Sequence, residues 1–181
     1  VGGYFMLPKL ETQETVELFR RARAAGAKTV VDVVMFGPEN YWDRLAPLLP
    51  EIDVLVPNDH EGAVITGLKD PLDQANRFRD AGVKTVVITM GSKGSLLVTD
   101  GLRLRAGVYP VEFVGGAGSG DAFDAGFIAG MLAGADPAGC LRWGSALGAS
   151  CVRSITTTDS VFTRPEAERF MQDNELPLEA F

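Results

Sequence analysis

The stretch GGAGSGDAFDAGFIAG, Gly115 to Gly130, holds the residues best suited to chemistry: four glycines within six residues, then Asp121, then an apolar run. Glycine loses more backbone freedom on folding than any other residue, so such density calls for a close backbone approach or an unusual φ/ψ. Phe123, Phe127 and Met131 recur every four residues and predict a helix over Gly120–Ala133 with a packed face. A helix begins with unpaired N–H groups and about half a positive charge. Gly118, Ser119 and Gly120 therefore stand where bare N–H groups can meet an anion without side-chain obstruction. Asp121 admits two readings from the residues alone: an N-terminal cap, or a general base beside that anion.

Other glycine loops fit worse. A Walker A loop needs Gly-Lys followed by Ser or Thr, whereas Gly120 is followed by Asp121. A dinucleotide fingerprint needs GxGxxG after the first strand of a βαβ unit, and here Asp121 stands where its last glycine would be. The single histidine, His60, reads as a surface residue. Cys140 and Cys151 are too far apart for a CxxC site and read as packing residues on a buried helix face, which argues against structural zinc or a disulfide framework. The net charge of −7 with scattered basic residues argues against nucleic-acid and anionic-membrane partners. No apolar run approaches the ~20 residues of a membrane span and no basic leader precedes one, so the chain reads as cytoplasmic.

These residues need elements to position them. Two stretches, TVELFRRARAAGAKTVVDVVM from Thr15 and DQANRFRDAGVKTVVITM from Asp73, each run from an amphipathic helix through a glycine (Gly26, Gly82) into a β-branched strand. Neither strand alternates strictly, as expected of strands covered on both faces. Between them, EIDVLVPNDHEGAVITG gives a strand at Val54–Val56, stopped by Pro57, and a short helix over Asp59–Thr66. Strands alternating with helices imply right-handed crossovers and a mostly parallel sheet. Thr99–Gly101 reads as a hairpin turn, followed by helices over Gly120–Ala133, Asp136–Ser154 and Arg164–Gln172. No linker interrupts the chain, which reads as a single domain over residues 1–181. The start at Val1, in the strand-like run VGGYFML, suggests a fragment of a longer protein.

GAGSGDAFDAGF, Gly116 to Phe127, resembles the second signature of the ribokinase-like (PfkB) carbohydrate kinases, whose core is Gly-Ala/Ser-Gly-Asp followed by an apolar helix. Upstream, VPNDHE resembles the family's Asn-x-x-Glu motif at Asn58 and Glu61, and TMGSKG its Thr-x-Gly-x-x-Gly loop at Thr89–Gly94. The resemblance implies an α/β fold, a three-layer doubly wound and mostly parallel sheet, with the family's N-terminal part and lid missing. It implies ATP-dependent phosphorylation of a hydroxymethyl group on a sugar or nucleoside. Asp121 would be the general base and Gly118, Ser119 and Gly120 the anion hole. Asn58 and Glu61 would organise Mg²⁺ through water, and Thr89, Met90, Gly91, Ser92, Lys93 and Gly94 would line the nucleotide. Ser145 stands where the family often has a nucleotide-side Asn.

Two departures matter. Many members carry Asp-Thr-Thr before the core, where this chain has Gly115, Gly116 and Ala117, so a charged ligand to a monovalent cation is gone. SITTTDS, Ser154–Ser160, lacks the usual Gly-Ala and places Thr156 and Thr157 there, so monovalent-cation activation is in doubt. The alternatives to a sugar kinase are a nucleoside kinase of the same family, a nucleotide-binding protein without catalysis, and a structural domain. Which acceptor is used, and whether the full-length protein is a homodimer, stay open at this point.

Overall fold

A computed structural model describes residues 1–181. In chain order the elements are α1 (Thr12–Ala24), β1 (Val30–Val31), α2 (Tyr41–Leu45), β2 (Val54–Leu55), α3 (Asp59–Thr66), α4 (Pro71–Asp80), β3 (Thr85–Thr89), β4 (Ser95–Val98), β5 (Arg103–Ala106), α5 (Ser119–Leu132), α6 (Pro137–Cys151), α7 (Arg164–Asp173) and β6 (Leu178–Ala180). The six strands stand in one sheet in chain order. β1 and β2 are parallel, as are β2 and β3, while β5 and β6 are antiparallel, so the sheet is mixed. No helix is long and apolar enough to cross a membrane. Contacts divide the chain into two compact units, residues 1–90 with 96–103, and residues 91–95 with 104–181.

In the first unit, β1, β2 and β3 form a parallel core flanked by the intervening helices. Val30 pairs with Val54, and Val54 with Thr85. Leu45, Leu48, Leu49, Ile52, Leu55, Phe78, Val86 and Ile88 are fully buried around them. At the start of these strands Asp53, only 6% exposed, accepts hydrogen bonds from the Thr29 N–H and hydroxyl and is paired with Lys84 at 2.8 Å. Burial opposes its charge, yet Lys84 and Thr29 together hold its carboxyl below the ordinary range.

The N-terminal run is only partly extended. The Val1 amino group donates to the Val30 carbonyl at 2.7 Å and the Asp32 N–H to the Val1 carbonyl at 2.9 Å, extending the sheet beside β1. Gly3 then turns the chain at φ 62, and Tyr4–Met6 closes a 3₁₀ turn that buries Tyr4 and Phe5. The strand expected here is thus a 3₁₀ turn that plugs the core with Tyr4 and Phe5. α2, five residues long, was not foreseen because it is too short to show a period; Asn40 caps it by accepting the Asp43 N–H. β6 is equally silent in the sequence, since its partner β5 lies far back in the chain, with Leu104 opposite Ala180.

The second unit is built on α5 and α6. Gly126 and Gly130 on one helix meet Cys140, Trp143 and Gly144 on the other so closely that backbones touch. A methyl at Gly126 would lie 2.4 Å from the Trp143 carbonyl oxygen and 2.9 Å from the Gly144 Cα. α6 ends at Cys151, three residues before the predicted limit, where the chain turns back as an irregular loop through Ser160.

Candidate active site

In open α/β sheets, ligands gather at the carboxyl ends of the strands. Those ends carry two of the three motifs. β2 runs into Pro57 and Asn58, and β3 ends at Thr89; Asn58 and Thr89 form a parallel bridge, with the Thr89 N–H donating to the Pro57 carbonyl at 3.0 Å. Register alone therefore sets the Asn-x-x-Glu motif beside the start of the Thr89–Gly94 loop.

Asn58 is the N-cap of α3, and its oxygen accepts the Glu61 N–H at 2.8 Å. Glu61 reaches back to accept the Asn58 N–H at 2.9 Å, completing a capping box. Both side chains thus have a structural task before any ligand arrives. Glu61 is only 9% exposed. Burial, and secondarily the negative charge of Asp32, push its carboxyl up to about 7, against the opposing bonds from Asn58. Asp32, at the carboxyl end of β1, is a neighbour of Glu61 that the motif reading missed. Its signal was present: a carboxylate inside the apolar run VVDVV.

The loop after β3 is a 3₁₀ turn, Gly91–Lys93, with Ser92 and Lys93 exposed and Met90 half-buried. Gly94 has a local reason to be glycine. At φ 87 it lies so close to the Ala106 and Gly107 carbonyls that no side chain fits.

At the head of α5, Gly118 is the N-cap at φ 79, and the first intrahelical bond runs from the Ala122 N–H to the Gly118 carbonyl at 2.9 Å. The Gly120 and Asp121 N–H groups precede it, among the donors a helix leaves without an internal partner. Ser119 differs from expectation: its hydroxyl and its N–H both turn back to the Gly116 carbonyl, at 2.9 and 3.3 Å, so it closes the loop. Gly118 also differs. A Cβ there would lie 2.8 Å from the Thr157 Cβ and carbonyl oxygen, so its bareness serves packing whether or not an anion binds. Gly120 alone faces open space, and Asp121 is exposed in the first turn of the helix.

An exposed carboxylate in the first turn of a helix, behind a left-handed glycine, sits in a sequence that matches the pfkB family of carbohydrate kinases over residues 1–164. The chain belongs to that family. It is 34% identical over 146 residues to a cytidine kinase of Thermococcus kodakarensis, a match covering 77% of this chain and 51% of that protein. It is 30% identical over 130 residues to a ribokinase of Haemophilus influenzae, covering 69% of this chain and 42% of that one. The structure of the Arabidopsis thaliana ribokinase complexed with ribose and ATP superposes with a TM-score of 0.78 at 27% identity, over 87% of this chain and 51% of that one. The chain thus spans about half the length of the relatives it matches. The ribokinase-like α/β fold expected from the motifs is the fold observed.

Within this family frame, the departure at Gly115 has a steric counterpart. A Cβ there would stand 3.0 Å from the Ser154 carbonyl oxygen and 3.2 Å from the Ile155 Cα, so any side chain at this position would need the loop to give by a few tenths of an ångström. The donors for a pfkB-type magnesium site can also be tested. No group of three or more His, Cys, Asp and Glu side chains could hold a metal directly. Mg²⁺ keeps several waters and touches few protein ligands, so the Asn58 amide oxygen and an ionised Glu61 carboxylate are donors of the right chemistry to meet it through water. Ser145 stands half-buried on α6, next to Gly144, whose Cβ position lies 3.0 Å from the Phe123 ring.

Proposed function

We propose that the protein transfers the terminal phosphoryl group of ATP to a hydroxymethyl group of a sugar or nucleoside, with Asp121 as general base. The observation that carries this reading is the head of α5, where an exposed Asp121 shares a helical turn with the Gly120 and Asp121 N–H groups and a methyl-free approach at Gly120. The acceptor oxygen attacks the terminal phosphorus, the bond from that phosphorus to the ADP oxygen breaks, and the hydroxyl proton passes to the Asp121 carboxylate. Such proton removal contributes about 10²–10⁴ in rate. The two N–H groups and the positive end of α5 face the charge on the phosphoryl oxygens as it spreads, the main form of catalysis in these transfers.

Mg²⁺, when bound with ATP, neutralises phosphate charge. Asn58 and Glu61 would hold its waters, Thr89, Met90, Gly91, Ser92, Lys93 and Gly94 would line the nucleotide, and Ser145 would be a further nucleotide contact. Relatives named cytidine kinase and ribokinase support an acceptor of the sugar or nucleoside class.

Titration calorimetry with ATP, with and without Mg²⁺, followed by a panel of sugars and nucleosides, tests this. Asp121→Asn is expected to abolish transfer while ATP affinity stays within a few-fold; turnover at the parent rate by that variant overturns the assignment.

A further inference from the structure

The irregular loop after α6 lies against the glycine loop before α5. The Val114 and Gly115 N–H groups both donate to the Val152 carbonyl, at 2.8 and 3.1 Å. Gly115 abuts Ser154, and Gly118 abuts the backbone of Thr157. Between the two loops stands Cys151, the last residue of α6, fully buried. Its Sγ lies 3.2 Å from the Thr157 carbonyl oxygen and 3.4 Å from that of Ala117.

Two carbonyl oxygens converging on one buried atom repel each other unless a donor sits between them, and an unpaired buried carbonyl costs about 1–3 kcal/mol. The thiol has one proton for the two of them, so it donates to the nearer Thr157 oxygen and shares the proton with that of Ala117. Burial, and then the charge of Asp121, push the thiol up from its ordinary range, so it remains a neutral S–H. Packing alone would be served equally by an apolar side chain of this size. A thiol aimed at one carbonyl from each loop does more, because it fixes the separation of the loops at the point where Gly118 enters α5.

We infer that Cys151 is a positioning residue for the phosphate site, its thiol tying the Ala117 carbonyl to the Thr157 carbonyl and so aiming the N–H groups at the head of α5. This rests on the reading of that helix head as the phosphoryl site. The residue touches no substrate; it acts through Gly118. Misplacement of catalytic groups by about 1 Å can cost on the order of a hundredfold in rate. The expected signature is therefore a fall in kcat at nearly constant KM for ATP, in a protein that remains folded.

The test compares Cys151→Ala, Cys151→Val and Cys151→Ser with the parent in the intact protein. Val fills the space without a donor, and Ser keeps a donor. Three readouts are used: thermal unfolding, steady-state kinetics with ATP and the best acceptor from the panel, and hydrogen exchange at the Ser119 and Ala122 amides. Those amides donate to Gly116 and Gly118. Ala and Val are expected to lower kcat by about tenfold to a hundredfold with KM for ATP within about twofold. They should also speed exchange at both amides, while Ser restores both readouts most of the way. Unchanged exchange and unchanged kcat in Ala and Val overturn the inference, as does a loss in all three variants that merely follows the fraction unfolded. A parent that phosphorylates no acceptor, yet shows the exchange pattern, overturns the kinase reading and upholds the tie.

Discussion

Replacing Glu61 by Gln separates the two tasks of this side chain. The amide keeps an oxygen to accept the Asn58 N–H, now 2.9 Å from Glu61, but it cannot ionise. In the folded protein the carboxyl is raised from 4.5 to about 7 by burial and by Asp32, so the native state holds its proton more tightly than the unfolded chain does. The folded state then binds more protons in that window, and stability must fall as pH rises from 4.5 to 7, levelling off above. A shift of this size corresponds to about 3 kcal/mol lost by pH 8, at 1.36 kcal/mol per pKa unit. The shift already nets the opposing bonds from Asn58 against burial, and at low pH the protonated carboxyl and the amide are both neutral acceptors. The Gln variant should therefore be about as stable as the parent at pH 4.5 and more stable by about 3 kcal/mol at pH 8. Urea unfolding at several pH values, with a chelator present, reads this as a midpoint difference that grows with pH at constant slope. Parallel pH profiles for the two proteins would refute the reasoning, because they would mean that Glu61 ionises in the fold as easily as in water. Added Mg²⁺ should stabilise the parent and leave the Gln variant nearly unmoved.

Two glycines of one helix should respond oppositely to alanine. Gly126→Ala places a methyl 2.4 Å from the Trp143 carbonyl oxygen and should cost about 1–3 kcal/mol by forcing α5 from α6, whereas Gly120→Ala enters open space and should be neutral or slightly stabilising. Chemical denaturation of both variants checks this, and equal effects would mean the helices are free to separate. Asp53→Asn should destabilise by about 1–3 kcal/mol at neutral pH, since it removes the charge that Lys84 and Thr29 hold. The parent's contribution from Asp53 is present above the ordinary carboxyl value of 3.8 and lost as pH falls through its lowered folded value, so the difference between parent and variant should shrink in acid.

The sequence by itself determined a good deal. The glycine-to-strand signals after α1 and α4, the limits of α3, the helix behind GAGSGD and the order of the three motifs are local, and each follows from a period, a cap or a spacing. The family itself came from the resemblance of the three motifs, and the match over residues 1–164 bears it out. Tertiary structure alone decided what each glycine is for. Composition could not tell that Gly94 answers the Ala106 and Gly107 carbonyls, that Gly126 answers Trp143, or that Gly118 answers Thr157, because each partner comes from a distant part of the chain. Gly120, two residues after Gly118, has by contrast no atom within 4 Å of where a side chain would start. Register likewise decided that Asn58 lies beside Thr89, and burial decided that Glu61 would feel Asp32. A sequence records which side chain stands at a position, but the field and the close approach at that position belong to residues brought there by folding.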